Sequence, residues 1–434
     1  MTVVLSIFIM LLILTVLVVV HEWGHYISAR IFGVKINEFS IFMGPKIFSR
    51  VGKKTGTVFS IRCLPIGGFC ALEGEEITEE SDTAFCNKPW WQRTIILLSG
   101  VFMNIVLAIV VITIVFMIYG YDTRTVSYTN EFMPAEIMNL EAGDMITEFN
   151  DHGVLNSLDY NLVNYAVSTE DSTFTVKKVN GKKEYFELDK TINEDEKKMD
   201  IIVKNPKKND AVIGKYSAKW DTDYLEINMT VEGESNSKYV FRKTLEGQYD
   251  GSLIKYDASG STVLEERTYS EASSQAILAS YSPYKVGFSF AHEEGNFFAT
   301  VKNAFLYNIS LVKSVFNSIK WLITGNLGMD AMSGPIGLTT VVDDVVTADA
   351  SVGVRIISLM EMAALISANL AAFNVLPIPG LDGGKLIFIV IELIRRGKKI
   401  PPEKEAIVSV IFLALLILFS IFVAGNDIIR IFRS

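Results

Sequence analysis

Two histidines four residues apart with a glutamate beside the first, His21-Glu22-Trp23-Gly24-His25, carry the clearest chemistry in the chain. On a helix such positions share a face, so both imidazoles can reach one metal ion while Glu22 stands next to them as a base. That is a ligand-and-base set for zinc-dependent peptide hydrolysis; taken alone, the short pattern fits equally a satisfied pair on a helix surface. Asp382, far along the chain, is the candidate third ligand, which would leave the fourth position of an open zinc site for water. It lies in Asn374-Val375-Leu376-Pro377-Ile378-Pro379-Gly380-Leu381-Asp382-Gly383-Gly384, where prolines and glycines break any continuous helix. The other reading of Asp382 is a cap for a helix beginning near Lys385.

Residues 1–20, directly before His21, are uncharged, mostly apolar and long enough to cross a bilayer. They lack a basic leader and a small-residue cleavage site, so they read as a retained span and not as a signal peptide. Ionisable groups in a span are costly, about 2.5 to 3.5 kcal/mol for Asp, Lys or Arg at its centre on insertion scales, and those met at its end, His21, Glu22 and His25, point to a function. Residues 95–119, 356–376 and 406–424 supply three further apolar runs. The loop over 26–93 and the cluster Arg395, Arg396, Lys398, Lys399 and Lys404 are basic, which places both on the cytoplasmic side and both termini outside. Asn104, inside the second span, needs an interhelical partner, for packing or near a site. Glu361 is expected to face protein or a wet cavity. Within the basic loop, 57–62 and 69–72 read as short strands joined by a turn at Pro65 and Gly67-Gly68, a small hairpin.

The 434 residues are half hydrophobic with a positive mean hydropathy, too apolar for an ordinary soluble protein and too polar in the middle for a pure helix bundle. The net charge of -9 argues against nucleic acid as a partner. Cys63, Cys70 and Cys86 form no disulfide framework and fit reduced thiols. From 122 to 289 polar and apolar residues alternate, as at Leu225, Ile227, Met229 and Val231, and Gly143-Asp144, Asn180-Gly181 and Asp250-Gly251 read as turns; a β-rich domain is expected. Phe298, Val301, Phe305, Val312, Val315 and Ile319 recur at helical spacing, suiting a helix on the membrane surface or packed in a domain, and 325–337 reads as loop.

Taken together, these segments resemble the site-2 protease family of intramembrane metalloproteases, in particular its bacterial PDZ-containing group. The resemblance rests on His21 to Tyr26, on Phe39-Ser40 with Gly44-Pro45-Lys46, and on Leu64-Pro65-Ile66-Gly67-Gly68-Phe69. It continues through Phe85, Lys88-Pro89, Trp91-Gln92-Arg93, residues 100–104, Ser333-Gly334-Pro335-Ile336-Gly337 and the string from Asn374 to Gly384. It implies one Zn2+ ion held by His21, His25 and Asp382, with Glu22 as general base. It further implies that Asn374 helps hold the substrate or stabilise the transition state, that the hairpin pairs with an unwound substrate helix, and that 134–146 belongs to a PDZ segment. The substrate side of the site is expected at Asn374, Gly67, Gly68 and Asn104. Substrates would be single-span membrane proteins already trimmed by an upstream site-1 type protease, of the anti-sigma factor or remnant signal peptide kind. The chain departs from the family where Ile41-Phe42-Met43 replaces glycine-rich letters and where Val101 follows Gly100 in place of proline. Residues 194–280 also exceed what a simple PDZ needs and read as an inserted β module.

The expected architecture is a polytopic α-helical membrane protein of about four transmembrane helices, with an extracytoplasmic β-rich PDZ-like domain and a membrane-associated β-hairpin. Its regions would be 1–120, 121–292, an amphipathic helix and connecting loop over 293–350, and 351–434. The rival from another class is a non-catalytic membrane-anchored PDZ-type binding protein with a structural zinc site, against which the complete Glu22 and the open ligand set count. A soluble-type enzyme on an anchor would need His152 or His292 as a ligand, and neither has ligand-like spacing.

Overall fold

The first thirty-odd residues hold no proline, and α1 (Thr2–Ile31) runs through the histidine pair without interruption despite Gly24. The computed structural model describes residues 2–75, 77–167, 170–325, 327–328 and 334–433; Met1 and Ser333, both part of the sequence argument, lie outside them. The chain divides into two compact units, Gly120–Glu294 and the pair of stretches that flank it.

After α1 come β1 (Ile36–Val51) and β2 (Val58–Leu72). Each strand bends once. Phe42 and Gly44 take φ values of 68° and 86° in β1, and Gly67 takes 64° in β2. Phe42 thus adopts a left-handed conformation that costs a non-glycine residue about 1–2 kcal/mol, at the position where the family resemblance leads one to expect glycine. The bends produce a small folded sheet in which the 36–41 arm pairs with 68–72 on one side and with 58–61 on the other, while 46–51 closes the far side. The expected direct pairing of 57–62 with 69–72 is therefore corrected. Pro65 and Gly67-Gly68 bend one long strand instead of reversing it, and the 36–41 arm lies between the two. On its outer side the 68–72 arm has no strand partner among the described residues.

A second long helix, α2 (Trp90–Tyr119), leads to the β-rich unit. That unit contains β3 (Tyr121–Thr129), α3 (Pro134–Ile137), β4 (Met145–Phe149), β5 (His152–Gly153), α4 (Ser157–Val167) and β6 (Ser172–Lys177). A meander follows, made of β7 (Lys183–Asn193), β8 (Lys198–Asn205), β9 (Ala211–Asp221), β10 (Tyr224–Val231), β11 (Ser235–Lys243), β12 (Tyr249–Asp257) and β13 (Val263–Tyr269). The unit ends with α5 (Glu271–Ser280) and β14 (Phe288–Glu293). The strands form one sheet in the order β13-β12-β11-β10-β9-β8-β7-β6-β4-β3-β14, so residues 194–280 extend the same sheet from β8 onward. Alternation puts Phe174, Val176, Leu225, Ile227 and Met229 in its core. Asp250-Gly251 is not a turn: both residues lie in β12, and Gly251 is small because a Cβ there would meet the Phe241 ring at 2.5 Å.

The chain returns through α6 (Phe297–Thr324), α7 (Pro335–Thr347), α8 (Val352–Val375), α9 (Asp382–Ile394) and α10 (Pro402–Arg433). Helix α6 packs against α2, with Tyr307 on the Phe116 ring, and buries Thr300, Ala304, Asn308, Leu311 and Val315. Of the face of large residues, Val315 is buried while Phe298 and Phe305 are exposed, so the helix is packed on one side and keeps apolar side chains turned outward. Small side chains allow closer helix approach, as in membrane bundles. The expected connecting loop before residue 350 also holds a helix, α7. Its first turn is capped from a distance by Asp427 Oδ2, which accepts from the Gly334 and Gly337 N–H groups at 2.9 Å each.

Among the described residues, four helices are long and apolar enough to cross a membrane, over Val4–Ile31, Trp90–Tyr119, Val352–Val375 and Pro402–Asp427, the pattern of a multi-pass membrane protein. Helix α8 buries Ala364, Ser367, Ala368, Ala371 and Ala372, and the Ser367 hydroxyl donates to the Asn104 carbonyl of α2 at 2.8 Å. A core of Ala29, Ile36, Phe39, Leu72, Ile96 and Ile389 ties the small sheet to α1, α2 and α9.

Candidate metal centre

Both histidines sit on the buried face of α1, one turn apart, with Nε2 atoms 3.1 Å from each other. Asp382 reaches them from the first turn of α9; its Oδ2 lies 2.9 Å from His21 Nε2 and 3.3 Å from His25 Nε2. Asp382 does not cap α9: the cap position is Leu381, which makes no side-chain cap hydrogen bond. The irregular stretch 376–381 folds back onto the start of α9, and a Cβ on Gly383 or Gly384 would collide with the carbonyls of Leu376 or Ile378. The two glycines are what let the break in the helix turn tightly enough to aim Asp382 at α1.

Backbone contact between α1 and α2 sets the other wall. A Cβ on Gly24 would strike the Ser99 carbonyl, and one on Gly100 would come within 2.5 Å of His25 Nε2 and 2.8 Å of His21 Nε2. Ser28 and Ser99 hydroxyls join the helices at 2.8 Å. His25 Nδ1 donates to the Ile96 carbonyl at 2.8 Å. A carbonyl only accepts, so Nδ1 carries a proton, and in the neutral ring Nε2 is the nitrogen with a lone pair for a metal.

Asn104 lies with its side-chain amide 3.3 Å from His21 Nδ1, and the Asn374 amide is 3.4 Å from His21 Nε2. Two of the four residues expected on the substrate side thus stand at the histidines. Gly67 and Gly68 lie beside Val18 and Val19 of α1 and outside the lining of the cavity at the histidines; Gly67 supplies the left-handed bend, and a Cβ on Gly68 would strike the Ser40 carbonyl at 2.6 Å. The strand residues that face the site are 69–72, in a cavity of about 310 Å³ shared with Glu22, His25, Asp382, Glu75 and Lys385.

Among the described residues one group of His, Cys, Asp and Glu is arranged to hold a metal, namely His21, His25 and Asp382. The donor set suits zinc, two imidazoles and a carboxylate. Donor separations of 2.9 to 3.3 Å approach the roughly 3.3 to 3.6 Å edge expected around a tetrahedral zinc with ligands about 2.0–2.2 Å away. Glu75, Lys385 and the Ile96 carbonyl were not identified from the sequence. A charge three residues beyond Asp382, in a segment at membrane depth, was the available signal for Lys385.

The model of peptidase family M50 matches residues 9–419. A protein of Clostridium acetobutylicum whose name describes a zinc metalloprotease is 28% identical over 425 residues, covering 98% of this chain and 97% of its own. The regulator of sigma-W protease RasP of Bacillus subtilis is 26% identical over 97% of this chain and 98% of its own. The zinc metalloprotease RasP of Shouchella clausii is 25% identical with the same coverage of both chains. With the family's model matched along nearly all of its length, the chain belongs to peptidase family M50, the site-2 protease family, and is a zinc metalloprotease.

Proposed function

We propose that this protein hydrolyses peptide bonds within or next to the transmembrane helix of pre-trimmed single-span membrane proteins, using one zinc ion held by His21, His25 and Asp382. The observation that carries the reading is the convergence of these three donors beside Glu22, in a cavity walled by the open edge of the 68–72 arm. Held by His21, His25 and Asp382, zinc would supply the Lewis acidity that polarises a scissile carbonyl and acidifies water. Glu22 takes a proton from the attacking water and passes it to the leaving amine. Asn104 and the Ile96 carbonyl orient the two imidazoles, and Asn374 stands where its amide can hydrogen-bond the substrate carbonyl. A membrane helix protects its own peptide bonds, so the substrate must unwind. Pairing with the edge of 68–72 gives the exposed backbone groups new partners.

The basic loops support a cytoplasm-facing site with the β-rich unit and both termini outside, where a PDZ-like domain would vet substrates already cut by another protease. The sigma-W regulator among the relatives favours anti-sigma factors over remnant signal peptides as the substrate class. The test is cleavage in proteoliposomes of a single-span protein trimmed to a short outer stub, beside its untrimmed form. The proposal expects a cut inside the span of the trimmed form, with the untrimmed form resistant. Cleavage confined to soluble peptides would contradict it.

A further inference from the structure

Glu73 donates its backbone N–H to the Lys35 carbonyl at 2.9 Å, on the side of the 36–41 arm. Backbone groups alternate in direction along a strand, so the Leu72 N–H faces the other way, into the catalytic cavity, and so does that of Cys70. At Leu72 this edge donor is already engaged: Glu75 Oε2 accepts from it at 3.4 Å. Glu75 Oε1 is ion-paired with the Lys385 ammonium, which stands three residues along α9 from Asp382 and so on the same helix face. Glu75 and Lys385 line both the catalytic cavity and an adjoining cleft of about 280 Å³ against α10, so the pair forms the wall between the two spaces.

A substrate strand laid along this edge passes Cys70, where no strand among the described residues pairs on the outer side, then meets a carboxylate at Leu72. We propose that Glu75, held by Lys385, is a positioning residue that ends the substrate strand at Leu72. It thereby fixes which peptide bond lies at His21, His25 and Asp382. This inference rests on the strand-addition reading above. Slippage that keeps substrate side chains on their own faces goes in steps of two residues, so loss of the stop has a defined signature.

The experiment maps cut sites by mass spectrometry in one trimmed single-span substrate, using the full-length protein in proteoliposomes. Wild type is expected to cut one dominant bond. Glu75→Ala is expected to raise the share of products displaced by two residues at least tenfold. Glu75→Gln, which keeps an oxygen for the Leu72 N–H, is expected to retain mainly the wild-type cut. An unchanged single cut in Glu75→Ala would overturn the proposal, whatever happens to the rate. Should Glu75→Ala be inactive, register is read without catalysis. Ala71→Cys is placed in a Glu22→Gln protein whose native cysteines are replaced by alanine, and it is cross-linked to single cysteines scanned along the substrate. One cross-linking position with Glu75 present, broadening or moving by two residues with Glu75→Ala, supports the stop; an unmoved position overturns it. Absence of any cross-link with Glu75 present contradicts strand addition itself, which separates the two failures.

Discussion

Asn104 on α2 places its side-chain amide 3.3 Å from His21 Nδ1, opposite the ring nitrogen that faces Asp382 and His25. The Ile96 carbonyl accepts from His25 Nδ1, and the Asn104 amide can do the same for His21 once it turns its otherwise unpartnered Oδ1 to Nδ1, so each candidate ligand leans on α2 through its far nitrogen. Such outer contacts fix ring orientation and typically contribute 10- to 100-fold in metal affinity. Asn104→Ala is therefore expected to weaken zinc binding by about that factor, read by competition with a chelator. Its backbone carbonyl still accepts from Ser367, so the α2–α8 contact survives. Unchanged affinity would show that the amide does not orient His21.

Gly100 is the closest approach of α2 to the donors. A methyl group there would lie within 2.8 Å of both Nε2 atoms, and the obstruction is the imidazole pair itself. Gly100→Ala should lose zinc at least tenfold while helix content by circular dichroism stays near wild type. Full zinc retention would mean that the imidazoles can give way.

Arg93 at the start of α2 and Glu392 on α9 form an ion pair with both side chains under 10% exposed. It locks the helix that carries Asp382 to the helix that backs the histidines. Removing one partner strands a buried charge, which is expected to cost about 3–5 kcal/mol, whereas an apolar pair of similar volume recovers most of it. Arg93→Met should lower the thermal midpoint in detergent sharply, and Arg93→Met with Glu392→Leu should restore much of the loss. A double variant as unstable as the single one would contradict this account.

Glu38 ties three arms of the small sheet, accepting from Ser60 at 2.6 Å and pairing with Arg62 at 2.8 Å and Lys46 at 2.9 Å. Burial opposes its ionisation, but hydrogen bonds from Ser60, Lys46 and Arg62 outweigh that and hold its carboxyl at about 2, below the ordinary 4.5. A depressed carboxyl contributes stability that is full above 4.5 and is lost as pH falls from there towards about 2. The melting difference between wild type and Glu38→Gln should be largest near neutral pH and shrink across that window. A difference that is constant with pH would contradict the prediction.

The helical spacing of His21 and His25 is a local property, readable wherever a helix is secure, and the uncharged run before them made it so. Asp382, 361 residues from His21, could be singled out only because broken backbone at membrane depth demands a reason. Other features depend on partners too remote to read. Helix α7 looks like loop until Asp427 supplies its cap. The folded sheet hides behind Phe42, whose side chain gives no sign of a left-handed backbone. Helix α6 buries Thr300, Ala304, Asn308 and Ser310 beside Leu311 and Val315, a mixed face that hydrophobic periodicity does not single out. The Glu75–Lys385 pair joins segments 310 residues apart.

The most direct test of the central claim is zinc content and cleavage measured together on purified wild type and Glu22→Gln. The account predicts one zinc per chain in both. In the variant, cleavage of the trimmed single-span substrate should fall by roughly 10²- to 10⁴-fold, the range of general acid–base catalysis. Equal cleavage by the two proteins, or active wild type without zinc, would contradict it.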